Sequence, residues 1–220
     1  MYIIPPTIIT DAMLSYSNIT EPSPAETALP GYAGLWNAGT TYVLNAYVYT
    51  STHKLYKSLQ AGNVGQTPGA VGAEVWWQDY GSTERWAVFD AKVGSQASRA
   101  GSLTYEIDPG PIDSVALLNI ISDEITVTMV DTGGSGATIT WIKTTKIDDL
   151  FVSDVVKMDF PSTYTNPHIT VLISNTAATA YIGEIVVGLK QSVGNTKMNP
   201  TVSIIDYSIK EVDVFGNYTV

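Results

Sequence analysis

The residues of this sequence that could support catalysis or metal binding are two histidines and a few carboxylate pairs. Neither His53 nor His168 stands at a metal-ligand spacing from another histidine or an acidic residue. His53 falls in a polar turn and His168 follows Pro167 just before a strand-like run, so both are interpreted as surface or strand-edge residues. The sequence therefore predicts no metal site and no cofactor.

Nucleophilic and acid–base signals are equally sparse. No Gly-x-Ser-x-Gly elbow occurs, and Ser135 between two glycines fits a turn better than a nucleophile. Carboxylate pairs occur at 123–124 and 148–149, and a glycosidase needs two carboxylates roughly 5–10 Å apart across a sugar. Since the chain lacks the repeats of a long depolymerase, a solvated turn is the simpler interpretation, with a calcium site in a jelly roll as an alternative that no EF-hand-like spacing supports. We predict that the chain is not an enzyme, with a polysaccharide-degrading enzyme as the less favoured alternative.

Aromatic side chains are the feature with the most chemical content. Four of the five tryptophans lie between residues 35 and 90, together with several tyrosines. Flat aromatic faces stack on sugar rings, whose axial C–H bonds are slightly positive. The same rings could instead form the core of a small domain. We expect both: most of the rings in the core, and one or two exposed.

Charge and composition exclude several classes of partner. The formal net charge is −10 and the eleven basic residues are scattered singly, so nucleic acid and anionic membrane surfaces are not expected partners. No run of about eighteen apolar residues predicts membrane insertion, and no signal peptide is expected at the first residues. Charged residues make up only 15%, which leaves an uncharged polar surface suited to large protein contacts or to sugars.

The elements that would position these residues are predicted to be strands. Residues 1–34 are predicted to form an extended N-terminal arm or linker, with a disordered N-terminus as the alternative, because prolines at 22, 24 and 30 forbid a regular ladder. Residues 35–90 form a small aromatic-rich module of three strands, at 47–50, 54–58 and 75–78. Residues 91–220 alternate apolar and polar side chains in short runs and predict a β-sandwich or jelly roll. The predicted fold class is all-β.

Two further patterns within residues 91–220 support that class. The runs 124–130 and 137–142 alternate on either side of a glycine-rich turn, which predicts a hairpin. More strand-like runs follow at 169–174, 181–188, 201–206 and 210–215.

Residues 35–81 resemble the small chitin- and cellulose-binding modules of carbohydrate-binding families 5 and 12. The resemblance covers about a fifth of the chain and is carried by these stretches: Trp36-Asn37-Ala38-Gly39-Thr40-Thr41-Tyr42, Asn45-Ala46-Tyr47-Val48, Lys54-Leu55-Tyr56-Lys57-Ser58 and Trp76-Trp77-Gln78-Asp79-Tyr80-Gly81. Two departures stand out, because the family's Gly-Asp is Leu44-Asn45 here and its aromatic pair after the second strand is replaced by residues 59–62. The resemblance implies sugar binding, with these candidate residues: Tyr49, Tyr56, Trp76 and Trp77.

The whole chain also resembles bacteriophage tail and baseplate proteins that join such a module to a β-sandwich. The stretches that carry this likeness are Met1-Tyr2-Ile3-Ile4-Pro5-Pro6, Arg85-Trp86-Ala87-Val88-Phe89-Asp90, residues 181–188 and residues 205–218. The resemblance implies a virion protein assembled in the host cytoplasm, present in several symmetric copies and attached to other tail, baseplate or fibre proteins. Host-surface glycan binding through the aromatic module is the alternative function.

Overall fold

The computed structural model describes residues 2–131, 138–147, 150–158, 160, 163–194, 211–212 and 218–219. The chain divides into two compact units, of which the larger is Ile3–Gln191 and the smaller combines Met1–Tyr2 with Ser192–Val220. In the smaller unit, a strand at Glu211–Val212 pairs antiparallel with one at Tyr218–Thr219. Within the described part of the chain, no helix is long and apolar enough to span a bilayer.

A five-stranded antiparallel sheet forms one face of the larger unit. Its strands, in spatial order, are β10 (Thr138–Thr144), β9 (Glu124–Asp131), β14 (Pro167–Ile182), β7 (Ala97–Ile107) and β2 (Leu14–Ser17). Alternate residues of the three central strands are buried, which is the pattern of a sheet with one face in a core. The register aligns these side chains in rows: Ile107, Ile169 and Met129; Tyr105, Val171 and Val127; Leu103, Ile173 and Ile125.

A three-stranded sheet supplies the other half of the same core. Its strands, in spatial order, are β13 (Val155–Lys157), β8 (Ser114–Leu118) and β15 (Glu184–Gly188). Val115, Leu117, Ile185 and Val187 from this sheet belong to one buried cluster with the rows of the larger sheet. Two sheets with a shared apolar interior make a β-sandwich. Each fully buried aliphatic side chain of that interior contributes about 1.5–3 kcal/mol.

The small module is a separate four-stranded sheet with its own core. Its strands lie in the order β3 (Tyr32–Leu35), β4 (Tyr47–Tyr49), β5 (Lys54–Ser58) and β6 (Trp77–Ser82). β3 runs parallel to β4, whereas the other neighbours are antiparallel. Its buried residues are Tyr42, Ala46, Val48, Tyr56, Ala73 and Trp77.

The N-terminal segment, residues 2–35, contributes strands to both the sandwich and the small module. It supplies β2 to the sandwich, then a one-turn helix, α1 (Pro24–Thr27), and then β3 to the small module. Ser23 caps α1 in a capping box with Glu26. The buried Glu26 carboxylate also accepts the backbone N–H of Glu84 at 2.6 Å, and burial raises the pKa of this carboxyl. One carboxylate thus ties the N-terminal segment to the connection between β6 of the small module and β7 of the sandwich.

The remaining elements are short. They are strands β1 (Tyr2–Ile3), β11 (Lys146–Ile147), β12 (Leu150–Phe151), β16 (Gln191–Ser192), β17 (Glu211–Val212) and β18 (Tyr218–Thr219), and 3-10 turns at Ala73–Val75 and Ala87–Phe89.

The predicted all-β class is confirmed, and so are both predicted hairpins, β4–β5 and β9–β10. The small sheet has four strands rather than three, because β3 comes from residues assigned partly to the arm. The strand expected at 75–78 begins at Trp77, after a 3-10 turn. The predicted run 201–206 and the turn at 132–136 lie outside the described residues, and the three-part division of the chain stays a prediction.

Candidate functional site

Two of the four predicted sugar-contact residues lie in the core of the small module. Trp77 is 3% exposed, and its indole N–H donates to the Gln66 carbonyl oxygen at 2.7 Å. Its ring meets that of Tyr42 edge to face, with 5.3 Å between the centroids. Tyr56 is 8% exposed and lies directly beneath Gly69. Neither ring therefore presents a free face to a ligand in this structure.

The other two predicted residues, Tyr49 and Trp76, are half-buried. Trp76 packs against the core of the module, and its carbonyl accepts the backbone N–H of Leu59 at 2.8 Å. Tyr49 stands opposite Leu35 where β3 and β4 run in parallel. Among the described residues, no ring contact joins any two of the four candidates. Their assignment as sugar contacts stays a prediction.

A groove of about 360 Å³ opens at the end of β3, and we call it the Trp36 groove. Three elements form its walls: the end of β3, the β4–β5 turn, and the loop that follows β5. The lining residues are Leu35, Trp36, Thr50, Ser51, Thr52, Thr67 and Pro68. Trp36 is half-buried and packs against the core of the module, so its ring is supported from behind.

Backbone hydrogen bonds fix the position of Trp36. Its N–H donates to the Tyr49 carbonyl at 2.8 Å, which extends the β3–β4 pairing by one residue. Immediately after it, the N–H of Asn37 donates to the Tyr42 hydroxyl at 2.7 Å. Tyr42 is itself buried in the module core, so the chain on both sides of the indole is anchored.

The β4–β5 turn supplies the hydroxyl groups of the groove. The His53 N–H donates to the Thr50 carbonyl at 3.0 Å, and the Thr50 N–H donates to the Lys54 carbonyl at 2.9 Å. The hydroxyl oxygens of Thr50 and Thr52 lie 2.9 Å apart in a shared hydrogen bond. This is a three-residue hairpin loop whose last residue takes the left-handed conformation. It leaves Thr50, Ser51 and Thr52 along one wall.

The chemistry of the groove is that of an aromatic face among hydroxyl groups. The lining contains four Ser or Thr side chains and no charged side chain. Hydroxyls can donate and accept, which matches the hydroxyl groups of a sugar, while the indole matches a C–H face. The sequence did not single out Trp36 because pattern alone does not separate supported, half-open rings from core rings.

A larger cavity of about 460 Å³ lies between the N-terminal segment and β7, and its lining includes Ser23, Glu84, Ser98 and Arg99. None of its lining residues is aromatic. The Glu84 carboxylate already accepts the Ser98 hydroxyl at 2.7 Å and its N–H at 3.1 Å. This cavity is larger but offers no aromatic face on which a sugar could stack. The Trp36 groove is therefore the better candidate for a sugar site. Among the residues that the structure describes, no group of three or more His, Cys, Asp or Glu could hold a metal ion.

No family model matches the sequence, and no curated protein compared with it matches either. Several solved structures match part of the chain. Chitosan-binding module 1 of the chitosanase/glucanase from Paenibacillus sp. IK-5 is 15% identical, with a TM-score of 0.34 over 46% of this chain and 81% of that one. A pectin-binding carbohydrate-binding module is 10% identical, with a TM-score of 0.28 over 50% and 80% of the two chains. Carbohydrate-binding modules are thus among the solved structures that match part of this chain.

An enzyme is also among the similar structures. The GH29 fucosidase E1_10125 of Ruminococcus gnavus, solved with fucose, is 14% identical with a TM-score of 0.38 over 64% of this chain. This finding contradicts the prediction that the chain is not an enzyme, and that prediction is dropped. The chain spans 26% of the fucosidase. With TM-scores below 0.5, these likenesses assign neither a ligand nor a reaction to this chain.

Proposed function

We propose that the chain binds an uncharged polysaccharide through the Trp36 groove. The observation that carries the proposal is the position of Trp36, a supported and half-open indole at the side of a 360 Å³ groove with hydroxyl side chains along its walls. The volume falls within the range of ligand sites in proteins, about 300–1,000 Å³.

Charge supports an uncharged ligand. The groove has no charged lining residue, and the chain as a whole carries a formal charge of −10. A sulfated or uronic-acid polymer would meet no cation in the groove and a repulsive field around it. A neutral sugar needs no cation in the groove and is not repelled by the negative charge of the chain.

The test is a titration of the full chain with soluble oligosaccharides by isothermal calorimetry. The probes are glucose oligomers, N-acetylglucosamine oligomers and, as the anionic comparison, galacturonate oligomers. We expect saturable binding of at least one neutral series and none of the anionic one. Trp36→Ala should weaken the neutral complex at least tenfold, which corresponds to about 1.4 kcal/mol.

Trp141→Ala is the matched control, because Trp141 is a half-buried tryptophan of the sandwich that does not line the groove. Its dissociation constant should stay within about threefold of wild type. The proposal fails if no neutral oligosaccharide binds, or if Trp141→Ala removes binding while Trp36→Ala does not.

A second proposed role is that of a structural virion component, in a phage tail tip or baseplate, with several copies attached to neighbouring proteins. Exposed apolar side chains of the small module favour it: Val43, Leu44, Leu59, Val64 and Val75 are 41–64% exposed. Exposed apolar side chains concentrated on a small module are what a protein interface would cover. Mass spectrometry of purified virions tests the role, and a virion without this chain refutes it. The two proposed roles are compatible.

A further inference from the structure

His53 lies between two carboxylates of the N-terminal segment. Its Nδ1 is 2.9 Å from Oε2 of Glu21, and its Nε2 is 2.6 Å from Oδ1 of Asp11. Ionised carboxylates accept hydrogen bonds and cannot donate them, so both contacts are satisfied only when both ring nitrogens carry a proton. We call this arrangement the His53 clamp.

The surroundings hold the ring in place. Trp86 stacks on the imidazole with 4.2 Å between the centroids and an interplanar angle of 18°. The Thr83 hydroxyl donates to Glu21 and so orients that carboxylate. Lys54 and Asp90 are the other charged groups of the cavity of about 280 Å³ into which the ring opens. Asp11 and Glu21 are the two acids bonded to the ring itself.

The backbone of His53 is strained. Its φ is +59°, in the left-handed region that glycine and asparagine occupy more readily. The position is the last of the hairpin loop, where glycine is the usual residue. The imidazole is therefore held in the clamp at a cost in backbone conformation.

The clamp and the Trp36 groove share one turn. Thr50, Ser51 and Thr52 line the groove and directly precede His53, and Thr52 also lines the cavity of the clamp. We propose that His53 is a positioning residue: when it is doubly protonated and clamped by Asp11 and Glu21, it fixes the hydroxyl wall of the groove, and this makes glycan affinity dependent on pH. The proposal rests on the proposed function, because it concerns the same groove.

The direction of the effect follows from the donors. A neutral imidazole has one N–H and can satisfy one carboxylate, so the clamp is complete only while both ring nitrogens carry a proton. Loss of one contact removes one of the two side-chain links between His53 and the N-terminal segment, so we expect the wall of Thr50, Ser51 and Thr52 to be held less firmly. Glycan affinity should therefore decrease as pH rises.

The experiment measures the dissociation constant of the bound neutral oligosaccharide at about pH 5.5 and about pH 8.5. For the full wild-type chain we expect at least a fivefold loss of affinity at the higher pH. His53→Asn tolerates the left-handed backbone but cannot bridge both acids, so it should bind weakly at both pH values. Asp11→Asn should reduce the pH effect, because it removes one of the two carboxylates of the clamp. The side chain of Asp11 is 73% exposed, so we expect this substitution to leave the fold intact.

His168→Asn is the matched control. His168 also pairs with an acid, with its Nδ1 2.8 Å from Oδ1 of Asp108, but it lies on the large sheet and not on the turn. It should keep the wild-type pH dependence. A melting temperature measured beside each titration separates loss of positioning from loss of fold. A pH effect that survives unchanged in His53→Asn would overturn the proposal.

A second readout is independent of glycan. The backbone amide resonances of Ser51 and Thr52 should shift between the two pH values in wild type and in Trp36→Ala, but not in His53→Asn. Amide shifts without glycan binding would refute the proposed function but not the His53 clamp. Glycan binding with neither a pH effect nor amide shifts would refute the His53 clamp but not the proposed function.

Discussion

Gly69 offers a sharp test of how the loop after β5 packs on the module. Its φ is +76°, and an added Cβ would lie 2.6 Å from the Tyr56 hydroxyl oxygen. Gly62, in the same loop, has a φ of +73° but would meet nothing within 4 Å. The substitutions Gly69→Ala and Gly62→Ala thus share a backbone cost and differ in one steric contact.

The expected magnitudes follow from these two terms. Alanine in the left-handed region costs about 1–2 kcal/mol at either position. Tyr56 is 8% exposed, so its ring cannot move aside without disturbing the core, and the clash at Gly69 adds about 1–3 kcal/mol. In a domain of this size, 1 kcal/mol corresponds to about 2–4 °C, so Gly69→Ala should melt about 2–12 °C below Gly62→Ala.

Thermal unfolding followed by tryptophan fluorescence measures this difference, and a glycan titration accompanies it. Thr67 and Pro68 line the Trp36 groove next to Gly69, so we expect Gly69→Ala to weaken binding at least threefold and Gly62→Ala to leave it unchanged. Equal melting temperatures for the two variants would show that Tyr56 is not packed beneath Gly69. Equal affinities would show that the loop does not shape the groove.

Three further predictions concern stability, each measured by urea unfolding. Leu103→Ala should lower the free energy of unfolding by about 2–5 kcal/mol, because this fully buried side chain lies beside Ile173 in one of the core rows of the large sheet. Gly183→Ala should be strongly destabilising, since its Cβ would lie 2.5 Å from the Val93 carbonyl oxygen, whereas Gly94→Ala meets nothing within 4 Å and should be nearly neutral. Burial and, to a lesser degree, nearby acidic groups raise the pKa of Tyr32 to about 12, and its buried hydroxyl has no partner among the described residues. Tyr32→Phe should therefore add about 1 kcal/mol at neutral pH. It should also resist alkali better, because the unfolded wild-type tyrosine ionises at about pH 10 and the folded one only near 12, so wild type loses stability between those values.

Local alternation made the sandwich and its hairpins predictable. The side chains of Ile125, Val127 and Met129 share one face in the sequence pattern, and the structure buries all three. The same logic placed β4 and β5 on either side of a polar turn. Alternation could not reveal that β2 pairs with β7, because the paired residues are about ninety positions apart in the chain. The pairing is made by backbone groups, which every residue has, so the side-chain pattern does not indicate it.

The candidate site was less accessible to sequence reasoning. Trp36, Trp76 and Trp77 are chemically identical, and only packing distinguishes the buried ring from the supported, half-open ones. His53 was interpreted as a surface or strand-edge residue because its partners, Asp11 and Glu21, are 42 and 32 positions away in the chain. Contacts of that range depend on the folded path of the N-terminal segment.

The position of β14 has a consequence for synthesis. This strand lies at the centre of the large sheet, between β9 and β7, yet it is the last of the five to leave the ribosome. Until residue 182 has emerged, β7 and β9 each expose an unpaired edge and an apolar row with no neighbour. The centre of the large sheet therefore forms only after the other four strands have been made, through contacts between residues far apart in the chain. We expect the large sheet to close slowly, with apolar surface open to aggregation until β14 has paired.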